Sequence, residues 1–130
     1  MLLVDSSVWI DFFNGKSTPQ TDFLHTSLKQ PEVVLGDLVL YEVLRGFKQQ
    51  RDFDKARNLL MKLPVLNMGG VTVALRAADN YRYLRQRGVT IQPTVDCIIA
   101  TFAIVEGYTL LHSDKDFIPF AEFLGLAVAL

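Results

Sequence analysis

Short apolar runs set the strongest limit on what this chain can fold into. Leu2 to Val4 is the first, and Glu32 to Gly36 carries the second as Val33, Val34 and Leu35. Pro64 to Gly70, Tyr108 to Ser113 and Leu126 to Leu130 hold three more. Such runs are too short for helices, and they lack the polar alternation of a strand with one wet face. A strand that is apolar at every position is covered on both faces. The segments between them are longer and carry helical spacing. The pattern therefore predicts an α/β fold, with a parallel sheet covered on both faces by helices.

The helix limits follow from local chemistry. Ser6 or Ser7 is expected to open the first helix, whose stripe is Val8, Trp9, Phe12 and Phe13 and whose stop is Gly15. Thr18-Pro19 reads as a cap and a first-turn proline, with the helix running to about Gln30. Asp37 is expected to cap Leu38 to Phe47. Arg51 to Leu63 has an apolar stripe of Phe53, Ala56, Leu59, Leu60 and Leu63. Val71 to Gly88 is a long helix closed by its glycine. Thr94 caps and Gly107 stops the most apolar helix of the chain. Asp116 is expected to cap the helix that ends at Gly125.

The 130 residues fit one domain, 1–130. The longest charge-free apolar run, around Cys97 to Val105, is far short of the roughly 20 residues of a membrane span. Met1 leads into Leu2 with no basic segment of a signal peptide. Cys97 has no second cysteine to pair with, which fits a reducing, cytoplasmic compartment. The aromatic cluster Trp9, Phe12 and Phe13 reads equally as core or as interface.

In parallel α/β folds, ligands bind outside the carboxyl ends of the strands. Asp5 stands at such an end, and Ser6 and Ser7 can each cap the helix without it. Glu42 lies in an otherwise apolar helix, where its ordinary role would be a solvated pair with Arg45 on a stripe that includes Gln49. Asp96 opens a helix that reads as buried on nearly every side, where a charge needs a partner. Asp114 follows the fourth run. Asp5, Asp96 and Asp114 can share one sheet edge, with Glu42 near the start of a helix entering from it. Four carboxylates so placed repel and do not all stay ionised unless a cation joins them. Oxygen ligands without a histidine or cysteine cluster point to Mg²⁺ or Mn²⁺ rather than zinc. Acid-bound Mg²⁺ points to phosphoryl chemistry. The chain has no GxxxxGK[ST] loop and no GxGxxG. His25, His112 and Cys97 read as structural.

The segments "LLVDSSVWIDFF", "YEVLRG" and "TVDCIIATFAIVEGYTLLHSDKDF" together resemble the PIN-domain ribonucleases, and more closely the VapC toxins of type II toxin–antitoxin pairs. The resemblance runs from Leu3 to Leu126. It implies a three-layer α/β/α sandwich with a mainly parallel central sheet, and a Mg²⁺- or Mn²⁺-dependent endoribonuclease that leaves 5′-phosphate and 3′-hydroxyl ends. It implies Asp5, Glu42, Asp96 and Asp114 as the acidic quartet, with Asp5 and Asp96 the principal metal ligands. Asp116 matches a frequently acidic neighbour, and Ser6 a hydroxyl position that can contact the site. Many relatives carry Thr-Asn where this chain has Ser6-Ser7, and a threonine where it has His112. The implied partners are RNA, a cognate antitoxin and a second copy of the chain. The alternatives are a receiver-like Mg²⁺-binding signalling module and a PIN-fold binding domain without activity.

The net charge of -1 takes on another meaning once the quartet is set aside, because the remainder is +3. Six bases lie between Arg45 and Lys62, and Arg76, Arg82, Arg85 and Arg87 lie on the long helix. Such bases can track an RNA backbone beside the acids, or simply solvate helix faces.

Overall fold

A computed structural model describes residues 1–92 and 94–130. Its strands are β1 (Leu2–Val4), β2 (Val33–Gly36), β3 (Val65–Leu66), β4 (Thr109–Leu111) and β5 (Ala127–Val128). Its helices are α1 (Ser6–Phe13), α2 (Pro19–Ser27), α3 (Asp37–Leu44), α4 (Gln50–Leu60), α5 (Val71–Gln86), α6 (Val95–Glu106) and α7 (Ile118–Leu124). The strands form one sheet in the order β3-β2-β1-β4-β5, and every pairing is parallel. Helices cover both faces, giving the three-layer α/β/α sandwich.

The runs without polar residues became the middle of the sheet. All of β1 and β2 is buried, and Leu3 lies between Val34 of β2 and Leu110 of β4. Such strands have no face for water, which is why they carry no alternation. The two edge strands β3 and β5 are two residues long each and less covered. The chain passes from β1 to β2 and β3 on one side, then returns to place β4 and β5 on the other. The order therefore switches between β1 and β4, and a crevice opens at their carboxyl ends. Receiver domains use the order 2-1-3-4-5 instead, so that alternative does not fit this sheet.

Most helix limits fall where the local chemistry places them. Thr18 and Thr21 form a reciprocal capping box at α2, Thr94 caps α6, and Gly107 ends α6 at φ 72°. Three caps differ from expectation. Asp5, not a serine, caps α1, because its backbone is extended while Ser6 and Ser7 are already helical. Gly36 stands at the cap of α3, and Asp37 is its first residue; the Asp37 carboxylate accepts the N–H groups of Leu38 and Met68. Asp114, not Asp116, caps the 3₁₀ turn Lys115–Phe117 that leads into α7. Helix α2 also stops earlier, at Ser27, with turns continuing to Glu32, and α3 ends at Leu44, which leaves Gln49 off the Glu42 stripe.

Trp9 is fully buried and packs against Phe12 edge-on and Phe13 face-on. The partly buried Phe12 and Phe13 also line a groove of about 540 Å³ with Phe47, Ala56 and Leu59. The cluster is thus core at one end and open at the other.

Gly36 is required by close approach. A Cβ there would collide with the side chain of Met68, which is itself fully buried and has little room to move. Gly36→Ala is therefore expected to cost about 1–3 kcal/mol, read as a lowered urea midpoint with an unchanged m-value.

Candidate active site

The site grows from the end of β1. Asp5 extends the ladder by donating its N–H to Leu111 O at 2.9 Å, so its side chain emerges at the switch point. It is only 2% exposed. Oδ2 accepts the Ser7 N–H at 3.0 Å and the Ser7 hydroxyl at 2.6 Å. Oδ1 is buried with no hydrogen-bond partner. Burial raises the Asp5 pKa, the Ser7 hydrogen bonds oppose this, and the Asp114 charge adds to the rise.

Three other elements bring their acids to the same place. Asp96, in the first turn of α6, is half-buried. Its carboxyl is pushed up to about 7, first by burial and then by the charges of Asp5, Asp114, Glu42 and Asp116. All the acids singled out by sequence therefore act on one carboxyl group. Asp114 accepts the Asp116 N–H at 2.9 Å, and this turn brings Asp116 inward. One oxygen each of Asp96, Asp114 and Asp116 lies within 4.8 Å of the others, a spacing that could hold a metal ion. Glu42 and Asp5 stand outside that tight group. The Glu42 Oε1 accepts the Ser6 hydroxyl at 3.1 Å, and burial is the main cause of its raised pKa. The charge of Asp5 raises it further, while Ser6 and Arg45 pull it down.

The model of the PIN domain matches residues 2–122. The chain belongs to the PIN-domain family. It is 28% identical to the VapC ribonuclease Mb1587 of Mycobacterium bovis and to ribonuclease VapC11 of Mycobacterium tuberculosis, over 99% of this chain and 98% of each relative. Among solved structures, FitAcB from Neisseria gonorrhoeae superposes with a TM-score of 0.78 at 18% identity, covering 100% of this chain and 97% of that one. VapBC2 from Rickettsia felis, bound to a promoter DNA fragment, gives 0.76 at 18% identity over 98% and 96%. The sarcin–ricin loop cleaving toxin VapC20 of Mycobacterium tuberculosis gives 0.70 at 19% over 98% and 99%. These likenesses establish the fold.

Within this PIN domain, two residues at the site carry roles that the sequence did not assign them, since Ser7 reads there as an alternative cap of the first helix and His112 as structural. Ser7 is bonded to Asp5 and also accepts the Ser113 N–H at 3.1 Å. His112 accepts the Asp114 N–H on Nδ1 at 3.2 Å, and its ring packs 5.0 Å from Phe117. Burial is the chief influence on His112 and lowers its pKa. A neutral ring whose Nδ1 accepts carries its proton on Nε2. The signal for both is proximity in sequence to a candidate acid, which alone does not distinguish a neighbour from a partner.

The long-helix bases are mostly not beside the acids. Cys97 of α6 contacts Ala77 O of α5, and Asn80 of α5 bonds Thr101 of α6, so the two helices run in the same sense. Arg76 is then level with Asp96, whereas Arg85 and Arg87 lie more than two turns further down. Those two stack over Tyr81 and Tyr83 at 5.5 Å and 3.4 Å. The large groove lined by Phe12, Phe13 and Phe47 includes none of the five acids. The candidate site is thus set by the carboxylates and lies apart from this groove.

The Asp96 shift has a sign that can be tested. An unfolded aspartate loses its proton near pH 3.9, and folded Asp96 near 7. Between those values the native state holds a proton that the unfolded chain does not, so this group's contribution to stability is lost as pH rises. In metal-free protein, Asp96→Asn should be more stable than wild type at pH 7, and the advantage should vanish toward pH 4. Urea unfolding in chelator across that range measures it. A pH-independent difference would exclude the electrostatic cause.

Proposed function

We propose that this chain is a divalent-metal-dependent endoribonuclease, the toxin of a toxin–antitoxin pair. The observation that carries the reading is Asp5 Oδ1, buried without a partner beside carboxyl groups that raise one another's pKa. A bare anionic oxygen in the interior calls for a cation. The donors are all oxygens, which suits Mg²⁺ or Mn²⁺. The VapC ribonuclease relatives support RNA as the substrate.

In this reading Asp96, Asp114 and Asp116, whose oxygens lie within 4.8 Å of one another, would hold the ion, with Asp5 Oδ1 the further candidate ligand. When bound, a divalent ion supplies charge for the phosphate and lowers the pKa of water. Glu42 presents Oε2, since Oε1 is engaged by Ser6. That oxygen would be free to complete an ion's shell or to accept a proton from water. Ser6 contributes to the site by orienting Glu42. Asp114 Oδ1 caps the 3₁₀ turn by accepting the Asp116 N–H, a single bond that keeps the two residues together. Arg45, whose charge acts on Glu42, and Arg76, level with Asp96, are the candidates to meet RNA phosphates.

The partners belong to the same proposal. Solved relatives include VapBC2 and a toxin–antitoxin complex from Klebsiella pneumoniae, which support a cognate antitoxin here. A homodimer acting in the cytoplasm completes the reading. Among the described residues no helix is long and apolar enough to cross a membrane.

Asp5→Asn and Asp96→Asn should each lower RNA cleavage by on the order of 10²–10⁴-fold while circular dichroism stays unchanged. Chelator should abolish cleavage and Mg²⁺ or Mn²⁺ restore it, with products ending in 5′-phosphate and 3′-hydroxyl. An Asp96→Asn protein that cleaves RNA at the wild-type rate would sink the assignment.

A further inference from the structure

We infer that Ser7 is a positioning residue, whose hydroxyl ties the end of β1 to the loop after β4 and sets which oxygen of Asp5 stays free. The inference deepens the proposed function and rests on its metal-dependent reading.

The direction of two hydrogen bonds carries it. The Ser113 N–H donates to Ser7 Oγ at 3.1 Å. The proton of that hydroxyl therefore points elsewhere, and Asp5 Oδ2 receives it at 2.6 Å. The Ser7 N–H reaches the same oxygen at 3.0 Å. Oδ2 thus takes two donors, both from one residue, and Oδ1 takes none. A carboxylate held in this way presents a single defined oxygen. A hydroxyl can do this because it accepts and donates at one atom.

The placement matters for Asp114 as well. The ladder between β1 and β4 pairs Val4 with Leu111 and ends with the Asp5 N–H on Leu111 O. Beyond it the two chains separate, one into α1 and the other toward Asp114. Ser7 and Ser113 join them again one step past the ladder, although 106 positions apart in sequence. The spacing between Asp5 and Asp114 is then set by a direct bond rather than by loop stiffness. Ser6 is engaged with Glu42 and cannot take over this role.

Loss of the hydroxyl leaves the helix cap in place, because the Ser7 N–H still bonds Asp5. This separates positioning from folding. Partners that orient a metal ligand typically contribute about 10–100-fold in affinity. Calorimetric titration of Mn²⁺ into the full chain should accordingly show Ser7→Ala and Ser7→Val weakened by about 10–100-fold. Ser7→Thr, which keeps the hydroxyl and nearly matches valine in shape, should bind within a few-fold of wild type. In amide exchange by NMR, Ser113 should be protected in wild type and Ser7→Thr and exchange freely in Ser7→Ala. Equal Mn²⁺ affinity of wild type and Ser7→Ala would overturn the inference. If neither Ala nor Val variant folds, an unprotected Ser113 amide in the wild type overturns it instead. The two readings fail separately. Mn²⁺ binding that weakens with Ser7→Ala in a protein that cleaves no RNA upholds the Ser7 role and ends the ribonuclease reading. RNA cleavage alongside unchanged Mn²⁺ binding in Ser7→Ala does the reverse.

Discussion

The burial of one carboxylate organises this molecule. Asp5 leaves the central strand of a sheet with no wet face, so its charge has no water to turn to. One oxygen is satisfied by Ser7 and the other is bare. Each neighbouring element then adds to the problem rather than relieving it. Helix α6 brings Asp96, the 3₁₀ turn brings Asp116 with Asp114 at its cap, and α3 brings Glu42. Burial is the main cause of every resolved acid shift at the site, and the charge of a neighbouring acid adds to each.

A fold selected for stability alone would not gather these groups. Burial and like charge together destabilise the ionised site, and protonation relieves this only below neutral pH. The same arrangement is what a site for a hard cation requires. In the proposed function, the cost to the empty fold is the source of affinity for the ion. The parallel sheet makes this tolerable. Its pairings on both sides of β1 hold the strand rigid, so the strain remains at the carboxyl edge.

Two adjacent serines divide the work around that edge. Ser6 turns toward Glu42 on α3, and Ser7 turns toward Asp5 and the loop after β4. Being consecutive at the start of α1, they point about 100° apart and so reach opposite sides of the crevice. The aromatic groove between α1, the segment joining α3 to α4, and α4 is a separate surface, and the cation–π pairs on α5 lie away from the acids.

Much of this was legible in the sequence, and for identifiable reasons. A strand buried on both faces must be apolar at every position, so Leu2–Val4, Val33–Leu35 and Leu110–Leu111 announced the sheet. Thr18-Pro19, Thr94 and Gly107 marked helix limits because capping there depends on adjacent residues alone. Asp5 and Asp114 followed strands, which put them at one edge. Tertiary structure alone decided the rest. Whether Asp5 or Ser6 caps α1, and Asp114 or Asp116 the 3₁₀ turn, depends on where the backbone leaves the extended region, which the sheet sets. The direction of α5 relative to α6 removed Arg85 and Arg87 from the site, and no property of those arginines reveals it. The bond between Ser7 and Ser113 exists only because β1 and β4 are neighbours, a pairing between the first and fourth strands that no local pattern encodes.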